Sequence, residues 1–219
     1  MNKILVVVAH PDDEVLGCGA TIAKHTKNGD KVQVVFVADG FSSRESQEGE
    51  RNLPAIEVMG ILGCEQPIFL DFLDNQLDTI SLLEVVKEIE KIINDFQPNI
   101  VYTHHFGDLN IDHQITHKSV ITACRPQPNF CVKEIYSFET LSATHWQSSS
   151  MAGAFNPNYF VDVSGFIKQK IKALQCYDNE MRDHPHARSY ETVKSLSNFR
   201  GSAVGVHDAE AFIVERLIK

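Results

Sequence analysis

No apolar run in this sequence approaches the roughly 20 residues that a membrane-spanning helix needs. Basic residues are scarce. The 20 lysines and arginines are outnumbered by 29 acids, and the net charge is −9. That balance argues against nucleic acid, or any other polyanion, as the main partner. Cysteine is sparse too: Cys18, Cys64, Cys124, Cys131 and Cys176 are odd in number and form no C-x-x-C pair. Neither a disulfide framework nor a cysteine zinc site is indicated, and a reducing cytoplasm fits best. There is no internal repeat, no low-complexity tract and no linker. Met1-Asn-Lys runs straight into an apolar segment, so no signal peptide is expected.

What is present begins with Ile4-Leu-Val-Val-Val-Ala-His10-Pro11-Asp12-Asp13-Glu14. The unbroken apolar run reads as a strand buried on both faces, as in a parallel sheet. Open α/β sheets place their chemistry at the carboxyl ends of such strands. A histidine beside three carboxylates there suits a divalent metal with a water molecule next to it. A helix start alone would account for Pro11 and one or two acids. It does not account for an imidazole abutting three carboxylates, which repel one another unless a cation sits among them.

The 219 residues, 43% of them hydrophobic, fit one domain spanning residues 1–219. Val15 to Lys27 reads as a helix closed by Asn28-Gly29. Gly17-Cys-Gly19 lacks the third glycine of a dinucleotide loop and does not follow the strand directly, so close approach of this helix to the sheet is expected instead. Lys31–Ala38 is a second strand, and the loop after it carries Arg44, a candidate for holding substrate. A helix is expected from Glu45 to Leu62, and a short strand from Pro67 to Leu70. The loop leaving that strand holds Asp74 and Asn75. Ile80 to Phe96 is an amphipathic covering helix, and Ile100–Thr103 is the next strand. Alternation of strand and helix predicts a doubly wound, Rossmann-like, mostly parallel sheet with helices on both faces.

A second informative stretch follows: His104-His105-Phe-Gly-Asp108-Leu-Asn110-Ile-Asp112-His113-Gln-Ile-Thr-His117. It again leaves a strand and opens a helix. Asp112-His113 pairs a carboxylate with an imidazole, and His117 lies one turn further on the same face. The rest reads as a smaller C-terminal extension. It holds strands at Glu134–Thr140 and Tyr159–Val163, a polar loop at 142–158 with the sole tryptophan, and a helix from Phe166 to Tyr177. A polar loop follows (His184, His186 and Arg188), then a helix from Glu191 to Asn198 and an apolar segment from Ala211 to Ile218.

His10-Pro11-Asp12-Asp13-Glu14 after an N-terminal strand, with Asp112-His113 about a hundred residues on, resembles the PIG-L (LmbE-like) deacetylases. Weaker similarities extend to the Arg44 loop, Phe160–Ser164, Pro185–Ser189 and Ala209–Phe212. The resemblance implies a zinc-dependent hydrolase that removes N-acetyl groups from amino sugars. It implies His10, Asp13 and His113 as metal ligands and Asp12 as general base. Three protein ligands leave a position for water, whose pKa the metal lowers toward about 7. Asp112 would orient an imidazole or the loop. Many relatives carry a histidine where this chain has Asn110. Asparagine can still donate to an oxyanion but cannot pass on a proton. Arg44, Asp74, Asn75, His184, His186 and Arg188 are the expected substrate contacts. Iron or manganese would tolerate the same ligands. The expected substrate is an N-acetylated amino sugar, free or in nucleotide-, lipid- or glycan-linked form. The alternative is a metal-binding protein that has lost its chemistry, marked by Asn110. The late apolar elements permit self-assembly.

Overall fold

The computed structural model describes residues 1–40, 52–148, 150 and 153–219. Arg44 and the first half of the helix expected from Glu45 lie outside the described residues. Seven strands form one sheet: β1 (Lys3–Val8), β2 (Lys31–Ala38), β3 (Ile68–Phe72), β4 (Ile100–His104), β5 (Glu134–Phe138), β6 (Tyr159–Asp162) and β7 (Ala209–Leu217). Their order across the sheet is β3-β2-β1-β4-β5-β7-β6. The pairs from β3 to β5 are parallel, and β7 runs antiparallel to both β5 and β6. The expected fold class is therefore found. The C-terminal residues, however, extend the same sheet rather than stand apart from it. The apolar segment expected at Ala211 to Ile218 is β7, seated between β5 and β6.

The helices are α1 (Asp13–Lys27), α2 (Leu53–Leu62), α3 (Leu82–Phe96), α4 (Ile111–Ala123), α5 (Ile167–Gln175) and α6 (Tyr190–Ser202). Alternation along the buried strands sends side chains to two separate cores. Ile4, Val6, Val8, Tyr102, Phe138 and Phe212 pack beneath α1, α2 and α5. Leu5, Val7, Val35, Val101 and Ile135 pack beneath α3 and α4. None of the helices found is long and apolar enough to cross a membrane, among the described residues.

The strand order reverses between β1 and β4. β1 leads to β2 on one side, and β4 leads to β5 on the other. In open α/β sheets, that is where the carboxyl-end crevice opens. His10 leaves β1 there, and His113 enters α4 there.

Helix α1 starts at Asp13, earlier than expected, and breaks at Cys18 (φ −145°, ψ 23°). Backbone groups on either side of the break find side-chain partners. Lys170 Nζ donates to the Leu16 carbonyl at 2.9 Å, and Glu210 accepts from Ala20 N at 3.1 Å and Thr21 N at 2.7 Å. Lys170 and Glu210 also pair with each other at 2.7 Å. The first piece of α1, which carries Asp13 and Glu14, presses onto β5. A Cβ added at Gly17 would lie 2.2 Å from Phe138 Cδ2. The glycine thus serves close helix-to-sheet approach, as its spacing suggested. Gly17→Ala should lower stability by about 1–3 kcal/mol, the range for overpacking a core. Urea unfolding measures it, and a midpoint equal to the parent's would show that the helix can lift from β5 without loss.

Candidate active site

Each loop of the site begins where a strand ends. His10 follows β1. The backbone then turns sharply, with Asp12 at φ 117°, so that α1 starts at Asp13. His10 N–H donates to Asp13 Oδ2 at 3.0 Å, which folds the two side chains together. Across the crevice, Asn110 caps α4. Its side-chain oxygen accepts from Asp112 N at 2.8 Å and from His113 N at 3.4 Å, as a short polar residue does at a helix start. The cap fixes the first turn of α4, and with it both Asp112 and His113.

The two imidazoles are held by their far nitrogens. His10 Nε2 lies 3.0 Å from Asp112 Oδ2 and 3.0 Å from Asp74 Oδ1. Asp112 is fixed in turn by Asn75 N at 2.7 Å and Leu77 N at 3.1 Å. His113 Nδ1 lies 2.8 Å from Asp108 Oδ2, and Thr144 Oγ1 donates to the other oxygen of Asp108. A carboxylate that accepts a hydrogen bond from one ring N–H leaves a lone pair on the other nitrogen. The remaining nitrogens, His10 Nδ1 and His113 Nε2, lie 3.4 Å and 3.2 Å from Asp13 Oδ2. Behind them His104 stacks on His113, with ring centroids 3.8 Å apart. His104 Nε2 accepts from Ala9 N at 2.9 Å, and burial together with the neighbouring imidazoles holds this histidine well below its ordinary pKa.

Two lone pairs and a buried carboxylate meeting at one point require a positive charge between them. Without an ion, protons supply it. Burial would lower His113, yet the Asp13 charge and the Asp108 bond raise it to about 9. His10 is likewise raised well above its usual value, against burial, by its bonds to Asp112, Asp13 and Asp74. Burial acts to raise Asp13, but the nearby imidazoles hold it well below the ordinary carboxylate range. A divalent cation is the other way to meet the requirement. Three sets of donors could hold one among the described residues: His10/Asp13/His113, His104/Asp108/His113 and His10/Asp74/Asp112. Only the first uses the nitrogens that the surrounding carboxylates leave bare. In that set, Asp13 Oδ1 is buried and has no hydrogen-bond partner. The residues present fit a divalent metal, which His10, Asp13 and His113 would hold through three protein ligands.

Asp12 stands beside this set and is itself buried. Arg188 Nη1 lies 2.6 Å from its Oδ2, while Arg188 Nε donates to Ser142 Oγ at 2.9 Å. Burial pushes the Asp12 carboxyl up to about 7, and the Arg188 charge pulls against that rise. Burial also pushes Glu14 up to about 8, opposed by hydrogen bonds from Tyr177 and from the Asp12 backbone.

The other residues singled out in the sequence fall in different places. Asp74 turns inward onto His10. Asn75 is exposed, and its side-chain oxygen is 3.4 Å from Asn110 Nδ2. Arg188 grips Asp12. His186 Nδ1 accepts from Arg188 N at 3.0 Å, and the His186 ring meets Trp146 edge-on at 5.4 Å between centroids. His184 is exposed. His117 Nδ1 donates to the His104 carbonyl at 2.8 Å, which makes it a packing and hydrogen-bonding residue. Asp108, Ser142, Thr144 and Tyr177 were not singled out as site residues. Asp108 had a signal, an acid one loop before an imidazole at a helix start. Tyr177 had none, because 163 residues separate it from its partner Glu14.

The model of the PIG-L family, described as GlcNAc-PI de-N-acetylase, matches residues 5–124, more than half of the chain. The chain belongs to the PIG-L family. Among its relatives, an uncharacterised deacetylase of Escherichia coli (strain K12), YaiS, is 32% identical over 178 residues, covering 78% of this chain and 88% of YaiS. The diacetylchitobiose deacetylase of Thermococcus kodakarensis is 25% identical, over 96% of this chain and 82% of that enzyme. The N,N'-diacetylchitobiose deacetylase of Pyrococcus horikoshii shares the fold with a TM-score of 0.79 at 24% identity, covering 98% of this chain and 84% of that one. The 4-carboxy-2-hydroxymuconate hydratase GalB of Pseudomonas putida KT2440 shares it as well, with a TM-score of 0.75 at 23% identity over 100% of this chain and 99% of GalB. The PIG-L chain fold therefore hosts more than one reaction, and the chemistry must be argued from the site.

Because His113 keeps a proton up to about 9 when no ion is bound, zinc added at pH 7.5 should expel protons. Apparent zinc affinity should then rise with pH until about 9. Calorimetry in two buffers of different ionisation heat counts the protons. A count of zero would remove the imidazoles from the ligand set.

Proposed function

We propose that this PIG-L chain is a zinc-dependent N-deacetylase, releasing acetate from an N-acetylated amino sugar or a conjugate of one. What supports the reading is the convergence of His10 Nδ1, His113 Nε2 and Asp13 on one point, with the Asp12 carboxylate beside it. When bound there, zinc supplies the charge that acidifies a water molecule and polarises the acetyl carbonyl. The protein's own groups do the rest. Asp12 Oδ2 is fixed by Arg188, which leaves Oδ1 to take the proton of the attacking water. The same carboxyl then returns that proton to the departing amine. Asp112 and Asp108 hold His10 and His113 in the tautomers that face the substrate. The Asn110 carbonyl is occupied in capping α4 and one amide N–H faces Asn75 Oδ1, so the second amide N–H is the one to donate to the developing oxyanion. Asn75 and His186 are the proposed substrate contacts, and the cytoplasm is the proposed location.

The reading that Asn110 marks lost chemistry finds no support in the site. The residue is built into it as the helix cap, and Asp12, Asp13 and both imidazoles are in place around it.

Replacing Asp12 with Asn should lower acetate release from diacetylchitobiose or N-acetylglucosamine by about 10²–10⁴-fold, the span of general acid–base catalysis. Zinc should stay bound at one per chain. Turnover at the parent's rate would take the base role away from Asp12. Zinc binding by the parent chain, with no acetate from a broad panel of N-acetyl sugars, would sink the deacetylase reading as a whole.

A further inference from the structure

Glu14, the last carboxylate of the His10–Glu14 run, has no part in the reaction described above, yet it is fully buried. Both of its oxygens are engaged. Oε2 accepts from the Asp12 backbone N–H at 3.0 Å, and Oε1 accepts from the Tyr177 hydroxyl at 2.8 Å. Asp12 carries a φ of 117°, a conformation that L side chains rarely adopt. Such conformations persist only where the surroundings over-determine them. Here the surroundings act at both ends of the residue. Arg188 holds the carboxylate and Glu14 holds the N–H.

An acid in the first turn of a helix often reaches back to a free N–H, and that alone would make Glu14 a cap. A cap works at the solvent edge. Glu14 is instead sealed beneath Tyr177, which follows α5, and the bond it makes is to Asp12, whose φ is the most positive of any non-glycine among the described residues. If Asp12 relaxed to an ordinary φ, its side chain would leave on a different vector. The carboxylate would then lose both Arg188 and its place beside His10 and Asp13.

We propose that Glu14, braced by Tyr177, is a positioning residue for the base: its bond to the Asp12 N–H locks the backbone turn that aims the Asp12 carboxylate into the site. The proposal rests on the reading of Asp12 as the base of a deacetylase. Glu14 touches neither substrate nor metal in this scheme. It acts only through Asp12.

The test uses the full zinc-loaded chain, with diacetylchitobiose as substrate and acetate as readout. Glu14→Leu removes both acceptors, Glu14→Gln keeps an oxygen for the Asp12 N–H, and Tyr177→Phe removes only the brace. Misplacing a reacting group by about 1 Å costs on the order of a hundredfold. Glu14→Leu should therefore lower kcat per bound zinc by about a hundredfold with KM nearly unchanged. Glu14→Gln should recover most of that loss, and Tyr177→Phe should fall between the two. A crystal structure of Glu14→Leu, solved without metal or substrate, should show Asp12 at negative φ and released from Arg188. The proposal is overturned if kcat per bound zinc is unchanged in Glu14→Leu. It is equally overturned if Gln is as poor as Leu, or if Asp12 keeps its positive φ. Should Glu14→Leu not fold, Tyr177→Phe decides. A fall in kcat at constant KM, with Asp12 displaced in the crystal, supports the brace, and parent behaviour refutes it. If the parent chain releases no acetate, the deacetylase reading fails, while the crystallographic comparison still judges the backbone lock.

Discussion

Two imidazole lone pairs aimed at one buried carboxylate are unstable without a positive charge, and everything around them serves to keep them so aimed. The orienting carboxylates, Asp112 for His10 and Asp108 for His113, accept N–H hydrogen bonds on the far side and thereby choose which nitrogen faces the centre. Asp112 is itself pinned by backbone N–H groups of the loop after β3, and Asp108 by Thr144 from the loop after β5. Loops from both sides of the strand-order reversal thus meet at a single charge requirement. The sheet fixes where β1 and β4 end. The hydrogen bonds fix which atoms point inward from there.

The division of labour along the chain is uneven. The loops that carry the candidate metal ligands, and the carboxylates that orient them, lie within residues 5–124, the segment matched by the PIG-L model. The groups that hold Asp12 come largely from beyond it: Ser142, Tyr177 and Arg188. The part of the chain that reads as an extension of the sheet is therefore also the part that restrains Asp12, the proposed base. This also explains why Arg188 looked like a substrate contact in the sequence. Its loop is polar and faces the crevice, but its guanidinium is committed to a carboxylate already there.

The centre of the sheet was legible because β1, β2 and β4 are buried on both faces and so read as unbroken apolar runs. The Ile4–Ala9 run and Lys31–Ala38 stand in the sequence much as they do in the structure. The His10–Glu14 and Asp112-His113 motifs were legible because several charged groups in a row have no bland explanation. Local pattern could not supply contacts across the sheet. Tyr177 beneath Glu14 and Glu210 beneath the break in α1 link residues more than 160 positions apart. The break itself was invisible, since Cys18 is an unremarkable helix residue and the stop comes from partners elsewhere. The seating of β7 between β5 and β6 was equally hidden, because an apolar segment does not announce its neighbours.

The bonds that close the α1 break bring a temporal consequence. A ribosome delivers His10, Asp13 and His113 long before it delivers Glu210, whose carboxylate takes the Ala20 and Thr21 amides and pairs with Lys170. Until residue 210 emerges, the helix that carries Asp13 has unclaimed backbone groups behind it, and the central sheet lacks the strand that joins β6 to β5. The bonds that close the break in the helix bearing Asp13 therefore come last, with β7.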